Sequence, residues 1–332
     1  MQNPKDYLKN KTILITGGTG SFGQAMTEKL LTQYNPKSIR VYSRDELKQH
    51  DMRNSFKNDL RLRFLIGDVR DLQRLQRALE GVDIVFHAAA MKQVPACEYN
   101  PIEAIRTNVD GAINVIDACL NNNVQKVVAL STDKAASPIN LYGATKLCSD
   151  KLFIQANNYV GSRSIRFSVV RYGNVMGSRG SVIPLFRQQL KMGNQLTITD
   201  KRMTRFWITL NQATDLVLSS LTIMQGGEIF VPKIPSMNMV DLALAMEPKA
   251  DLKYIGIRPG EKIHEALITP EEGMRAIGLE DRYIIEPDSE WWKTPKEYSK
   301  LRVPEGFSYT SDNNTQWLNR EQMQKLLEKN TH

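Results

Sequence analysis

Residues 12–23 read Thr-Ile-Leu-Ile-Thr-Gly-Gly-Thr-Gly-Ser-Phe-Gly, and their order decides the fold. Thr12 to Thr16 is a short apolar run of the kind that forms a buried strand. The glycines Gly17, Gly20 and Gly23 follow it in a G-x-x-G-x-x-G pattern and lead into a helical stretch ending near Gln33. Small residues at such a turn let the backbone approach a pyrophosphate, which the amides at the helix start would hold. A tight strand-to-helix turn would use glycine equally well. The strand before and the helix after favour dinucleotide binding, and a P-loop fails because no Gly-Lys-Ser/Thr follows.

The same alternation continues through the first half. Strands are expected at Ser38 to Tyr42, Arg61 to Ile66, Asp83 to His87, Lys126 to Leu130 and Arg166 to Arg171. Helices are expected at Asp45 to Phe56, Asp71 to Leu79 and Pro101 to Asn121, the last as one long helix. Such a chain makes right-handed crossovers and an α/β fold, a Rossmann-type doubly wound parallel sheet. Its ligands sit at the carboxyl ends of the strands. There lie the glycine turn, Asp68 and Val69, the run Ala88, Ala89 and Ala90, and Thr132.

The end of the second strand selects the cofactor. NAD-binding units place a carboxylate there for the ribose, whereas the 2′-phosphate of NADP needs a cation. Here the strand exits as Tyr42-Ser43-Arg44, followed by Asp45 and Glu46. Arg44 can meet a phosphate bidentately, and Asp45 is expected to cap the next helix instead. NADP is the expected cofactor. The alternative leaves Arg44 as a solvated loop residue. Cofactor contacts are expected from Gly17, Thr19, Gly20, Ser21, Phe22 and Gly23, then from Ser43, Arg44 and Lys48. Asp68, Val69, Ala88, Ala89, Ala90, Tyr142, Lys146 and Val175 complete the set.

Chemistry concentrates in residues 131–146, Ser-Thr-Asp-Lys-Ala-Ala-Ser-Pro-Ile-Asn-Leu-Tyr-Gly-Ala-Thr-Lys. The fifth strand delivers Thr132, Asp133 and Lys134 at its carboxyl end, Pro138 turns the chain, and a helix begins near Asn140. Tyr142 and Lys146 then share one helix face. A phenol with an ordinary pKa of about 10 needs help to ionise near neutrality, and a neighbouring ammonium supplies it. Thr132 could orient the same substrate oxygen. Together they would take a proton from a carbinol while its hydride leaves for a nicotinamide. Tyr-x-x-x-Lys alone also fits an exposed aromatic–cation pair, so the weight rests on its order after the glycine turn.

The second half is less regular. Short strands (Gln195 to Thr199, Glu228 to Val231, Leu252 to Gly256) mix with helices (Thr209 to Met224, Met237 to Met246). The expected division is a dinucleotide-binding region over 1–175 and a smaller, mainly substrate-binding lid over 176–332, with sheet elements allowed to interleave. This half carries Arg179, Arg187, Arg202, Arg205 and Arg258, the last in the loop Arg258-Pro259-Gly260-Glu261-Lys262. A second diphosphate, on the substrate, would explain them; singly, each could be a solvated charge. The tail from Trp291 shows only an amphipathic helix, Gln316 to Lys329.

Composition narrows the class. The chain has 332 residues, 44 basic against 36 acidic, for a formal charge of +8. That suits a phosphorylated ligand, and no basic run with interleaved aromatics points to nucleic acid. Cys97, Cys119 and Cys148, with four histidines, have no metal-ligand spacing, so no metal is expected. The odd cysteine count suggests reduced thiols and the cytoplasm. The polar Met1 to Lys11 does not resemble a signal peptide, and no apolar run approaches the roughly 18 residues of a membrane span.

These motifs resemble the extended short-chain dehydrogenase/reductases, and within them the inverting UDP-N-acetylglucosamine 4,6-dehydratases of pseudaminic acid biosynthesis, used in flagellin glycosylation. The segments that carry it are Thr-Ile-Leu-Ile-Thr-Gly-Gly-Thr-Gly-Ser-Phe-Gly, Val-Tyr-Ser-Arg-Asp-Glu, Ile-Gly-Asp-Val-Arg-Asp, His-Ala-Ala-Ala-Met-Lys, Ser-Thr-Asp-Lys-Ala, Tyr-Gly-Ala-Thr-Lys, Arg-Tyr-Gly-Asn-Val and Arg-Pro-Gly-Glu-Lys. They run from residue 12 to about 262, and their joint order is what is specific.

The resemblance implies oxidation at sugar C4 with Tyr142 receiving the hydroxyl proton, loss of water across C5 and C6, and return of the hydride to C6. It puts Lys134 and Asp133 where a C5 base and an acid for the departing hydroxyl are needed. Related glucose-nucleotide dehydratases carry Thr-Asp-Glu there, so here a lysine would act as a neutral amine. That requires a depressed pKa, reachable through desolvation and the nearby cations of NADP and Lys146. The alternative is a salt bridge between Lys134 and Asp133. Substrate contacts are expected from Lys92, Asn174, Arg179, Arg205, Arg258 and Glu261, with UDP-N-acetylglucosamine as substrate and a homo-oligomer as the assembly. Membrane-anchored retaining relatives usually carry methionine in place of Tyr142. A 4-epimerase would share the Tyr/Lys pair but needs no C5 base. An NADP-sensing regulator, the non-enzyme alternative, would tend to lose Tyr-x-x-x-Lys.

Overall fold

The computed structural model describes residues 4–178 and 180–329. Six strands of the first half are β1 (Thr12–Thr16), β2 (Ser38–Ser43), β3 (Leu62–Ile66), β4 (Ile84–His87), β5 (Lys126–Thr132) and β6 (Arg166–Tyr172). All pair in parallel, in the order β3-β2-β1-β4-β5-β6. The order reverses at β1, where Thr16 faces Tyr42 on one side and His87 on the other. A crevice opens at such a reversal, beyond the strand ends. Ile13, Leu14 and Ile15 are wholly buried, each contributing roughly 1.5–3 kcal/mol of apolar burial.

The chain returns to this sheet late. Ile229–Pro232 pairs in parallel with β6, then Arg282–Ile285 and Ala276–Gly278 add antiparallel strands, for a sheet of nine among the described residues. Helix Ser21–Gln33 packs against helix Leu210–Ile223, while helices Leu72–Leu79, Gly111–Asn121 and Leu141–Gln155 pack on one another.

A second apolar cluster lies outside this core. It gathers Met176, Ile183, Phe186, Leu196, Trp207, Leu242 and Met323, from helices Val182–Met192, Met239–Met246 and Arg320–Lys329 and the strands between them. The tail helps to hold both halves of this arrangement. Tyr309–Thr310 pairs with Ala266–Ile268, and Met323 is buried in the second cluster.

One expected helix departs from its reading. The stretch from Pro101 to Asn121 changes register at a π-helical turn, Arg106–Asp110. The turn aims Asn108 inward, where its amide brackets Met91, accepting from its N–H at 2.8 Å and donating to its carbonyl at 2.9 Å. It also donates to Thr145 Oγ1 at 2.9 Å, tying this helix to the Tyr142 helix.

Candidate active site

A single cavity of about 1100 Å³ runs along the carboxyl ends of the strands. At one end is the glycine turn. Gly17 has φ +63°, and a Cβ there would lie 2.9 Å from the backbone of Ala89. The turns after β1 and β4 thus touch. Thr16 Oγ1 binds them together, accepting from the amides of Ala88 (3.1 Å) and Ala89 (3.2 Å). Its own proton is left for His87 Nδ1 at 2.8 Å. Burial, with the charge of Lys146, pushes the pKa of His87 down to about 3, so the ring is a neutral acceptor.

The N-cap of helix Ser21–Gln33 is Gly20, which brings no capping side chain. Amides of that first turn remain for an anion, and the close approach at Gly17 gives it room. These residues fit the pyrophosphate of a dinucleotide. Thr19, Ser21, Phe22, Gly23, Ser43, Val69, Ala88, Ala89, Ala90 and Val175 line the same wall.

Arg44 and Lys48 reach the cavity beyond β2. Asp45 is the helix cap, accepting from Lys48 N at 3.0 Å and pairing with Lys48 Nζ at 2.6 Å. Arg44 is 59% exposed and stands 3.6 Å from Asp68, whose carboxylate is held chiefly by Arg70 at 2.7 and 2.9 Å.

Candidate acid–base residues line the same cavity. Thr132 ends β5, and Asp133–Ala135 form a 3₁₀ turn. Thr132 Oγ1 donates to Asp133 Oδ1 at 2.9 Å, and Lys134 Nζ donates to the same oxygen at 3.0 Å. Thr132, Lys134, Tyr142 and Lys146 line the cavity, with Asp133 fully buried beside them. Asn140 caps helix Leu141–Gln155 by accepting Gly143 N at 2.8 Å. A Cβ at Gly143 would overlap the carbonyl oxygen of Lys134, so glycine lets helix Leu141–Gln155 rest on the Lys134 turn.

The ionisation states depart from what the sequence suggests. Burial pushes Tyr142 up to about 12, partly countered by the charge of Lys134 and the hydroxyl of Thr132. The cation beside the phenol is thus Lys134, while Lys146 interacts with Asp150 and is itself lowered by burial. The depressed pKa expected for Lys134 is not found. Desolvation does work to lower it, but the carboxylates of Asp133 and Glu265 outweigh that and raise it. Glu265 Oε1 is 3.4 Å from Lys134 Nζ.

Lys92, Asn174, Arg205, Arg258 and Glu261 also line the cavity. Arg205 is nearly buried, and its guanidinium donates to the carbonyls of Thr204, Lys262 and Ile263 at 2.7, 2.9 and 3.0 Å. Arg258 is half exposed, 3.8 Å from Glu261. Arg179 lies outside the described residues. Arg202 is engaged by Asp200 at 2.8 Å on the surface, and neither it nor Arg187 is on the cavity wall. Sequence reasoning missed Glu265 and Thr107, which line the cavity. Glu265 Oε2 and Thr107 Oγ1 are buried without a hydrogen-bond partner.

The sequence model of the family described as "Polysaccharide biosynthesis protein" matches residues 13–287. Over 325 residues the chain is 52% identical to the UDP-N-acetylglucosamine 4,6-dehydratase (inverting) of Campylobacter jejuni, covering 96% of this chain and 97% of that one. It is 46% identical over 327 residues to the UDP-glucose 4-epimerase of Rickettsia massiliae, covering 96% and 95%. Among solved structures, Pen from Bacillus thuringiensis superposes with a TM-score of 0.89 at 41% identity, over 97% of this chain and 99% of that one. DesIV, a dTDP-glucose 4,6-dehydratase from Streptomyces venezuelae solved with NAD and TYD bound, gives a TM-score of 0.68 at 25% identity over 76% and 86%. The chain belongs to the polysaccharide biosynthesis protein family and has the fold of the extended short-chain dehydrogenase/reductases.

Proposed function

We propose that this protein is an NADP-dependent UDP-N-acetylglucosamine 4,6-dehydratase that inverts C5 and opens pseudaminic acid biosynthesis for flagellin or surface glycosylation. One observation carries the reading. Tyr142 shares with Thr132 and Lys134 a single cavity that the glycine turn also lines, and the buried Asp133 is hydrogen-bonded to both Thr132 and Lys134. The identity of 52% to a protein of that name supports the same assignment.

The nicotinamide, when bound, supplies the hydride acceptor and donor. The chain's residues handle the protons. Thr132 and Tyr142 hold the C4 hydroxyl, and Tyr142 takes its proton as C4 becomes a ketone. The ketone acidifies C5–H. Lys134, held as an ammonium at rest, first passes its proton to Asp133 across their 3.0 Å hydrogen bond. The neutral amine then removes the C5 proton, and Asp133 hands its proton to the C6 hydroxyl, which leaves as water. A positioned base or acid of this kind contributes roughly 10²–10⁴-fold. Lys92, Asn174, Arg205, Arg258 and Glu261 hold the sugar nucleotide, and Arg44 with Lys48 meets the cofactor's 2′-phosphate. Arg179 is assigned to the substrate diphosphate on sequence alone. Residues 1–175 act as the dinucleotide half and 176–332 chiefly as the substrate half, in a cytoplasmic homo-oligomer.

A 4-epimerase reading is favoured by the Rickettsia relatives at 46% identity. An epimerase has no use for a C5 base, however, and the Asp133–Lys134 pair supplies one. The deciding experiment is NMR of the product formed from UDP-N-acetylglucosamine in heavy water. A 4-keto-6-deoxy sugar deuterated and inverted at C5 supports dehydration. UDP-N-acetylgalactosamine without deuterium at C5 would identify an epimerase.

A further inference from the structure

Lys134 sits between two carboxylates from distant parts of the chain. Asp133 is its neighbour in sequence, but Glu265 enters from the segment that leads into strand Ala266–Ile268. Glu265 is 3% exposed, with Oε1 3.4 Å from Lys134 Nζ and 3.8 Å from Arg205 Nε. Its other oxygen, Oε2, is buried and makes no hydrogen bond. A buried carboxylate with a free oxygen is costly unless it answers a charge, and Lys134 is the nearest one.

The backbone at Glu265 is held firmly. Its N–H donates to Ser311 Oγ at 2.9 Å, and its carbonyl accepts Ser311 N at 2.8 Å. The residues before it are fastened to the catalytic turn: Lys262 Nζ donates to Ala136 O at 2.7 Å, and Asn140 Nδ2 to Gly260 O at 2.8 Å. The carboxylate is therefore aimed by the fold and does not wander in on a loose loop.

We propose that Glu265 is a positioning residue that fixes the place and the proton occupancy of Lys134. The proposal rests on Lys134 serving the reaction assigned above. Every charged or titratable group facing the Lys134 amine bears on it: Asp133, Glu265, Arg205, Lys262 and Tyr142. Asp133 and Glu265 favour the ammonium, while Arg205 and Lys262 oppose it. Asp133, at 3.0 Å, is the stronger of the two carboxylates, and Glu265, at 3.4 Å, adds to it from a distant part of the chain. Removing the charge of Glu265 therefore lowers the pH at which Lys134 becomes a neutral amine.

The test needs no substrate. Acetic anhydride labels only neutral amines, so its rate at Lys134, followed by mass spectrometry across pH, reports the deprotonated fraction. In Glu265→Gln, labelling of Lys134 at pH 8 should rise roughly tenfold, the change that one pKa unit produces. The exposed Lys253 should label as in wild type. Glu265→Asp, which keeps the charge but withdraws it by one methylene, should fall between. Unchanged or slower labelling of Lys134 in Glu265→Gln overturns the proposal. If Glu265→Gln does not melt cooperatively, Glu265→Asp decides alone, and labelling at the wild-type rate overturns it. With UDP-N-acetylglucosamine, the acidic limb of the pH profile for C5 exchange should move to lower pH in Glu265→Gln. Faster labelling with an unmoved limb would uphold the positioning role and remove Lys134 as the C5 base, so the two assignments fail separately.

Discussion

Asn140 joins the first turn of helix Leu141–Gln155 to the loop at Gly260 through its two amide atoms. Its Oδ1 accepts Gly143 N at 2.8 Å, and its Nδ2 donates to Gly260 O at 2.8 Å. Two substitutions separate these roles. Asn140→Asp keeps the helix cap but loses the donor to the loop, whereas Asn140→Ala loses both. Losing a cap costs about 1 kcal/mol. Asn140→Ala should therefore melt roughly 1–2 °C lower in a chain of this size, while Asn140→Asp should melt near wild type yet show a raised KM. Thermal melts beside steady-state kinetics check this, and a normal KM in both variants would refute the latch.

Cofactor choice rests on Arg44. Replacing it with Ala should weaken NADP far more than NAD, because only NADP loses a phosphate contact. A charge-assisted hydrogen bond is worth roughly 1.5–3 kcal/mol. With Arg44 at 59% exposure, the lower end applies, roughly tenfold in Kd. Calorimetric titration with each cofactor decides, and equal losses would remove Arg44 from the phosphate site.

Turnover should involve no net redox change. Absorbance of reduced nicotinamide should stay nearly flat during steady dehydration, with no added reductant required. Stoichiometric accumulation of NADPH would mark an ordinary dehydrogenase.

Tyr142 and Lys134 should fail at different steps. Tyr142→Phe should suppress C4 oxidation, since the carbinol proton has no acceptor. Lys134→Ala should block elimination and, since the charge of Lys134 also eases ionisation of Tyr142, slow hydride transfer without abolishing it, giving a slower single-turnover rise in reduced cofactor with little product. Each loss should be about 10²–10⁴-fold in product formation. Near wild-type dehydration by Lys134→Ala would require another base.

His87 should make the fold acid-sensitive. Its pKa falls from 6.5 to about 3 in the folded protein, so the unfolded chain binds the proton more readily. Stability from this group is complete above pH 6.5 and is lost as pH drops toward 3, at up to roughly 1.4 kcal/mol per pH unit. Melting temperatures of wild type and His87→Gln between pH 7 and pH 5 test the sign. The wild-type curve should be the steeper.

The central parallel strands β1, β4, β5 and β6 were legible because strands buried on both faces are written as continuous apolar runs. Ile13-Leu14-Ile15 and Val127-Val128-Ala129 need no partner to be recognised. The acid–base residues were legible because they fall in one stretch, from Thr132 to Lys146. Glu265 was not, for its meaning lies in Lys134, far away in sequence, and a lone glutamate near a proline–glycine loop reads as solvated. The antiparallel strands Ala276–Gly278 and Arg282–Ile285 were missed for lack of length. A π turn at Arg106–Asp110 adds a single residue to a helix, which leaves its periodicity readable and its shift hidden. The ionisation of Lys134 was half legible: its pairing with the adjacent Asp133 could be read from the sequence, whereas the second carboxylate, Glu265, is supplied only by the fold.

The late return of the chain to the sheet has a consequence for its birth. On the ribosome, β6 emerges with Val169 and Val170 awaiting Ile229 and Phe230, and those in turn await Ile285 and Ile284. Synthesis proceeds at about 5–20 residues per second, so a bare sheet edge persists for on the order of ten seconds. During that interval the nascent chain already holds Tyr142 and Lys146 on a nearly complete half, yet offers unpaired backbone to any neighbouring strand. Chaperone capture and premature aggregation should therefore compete for chains stalled between residues 175 and 285, and least for chains stalled after them.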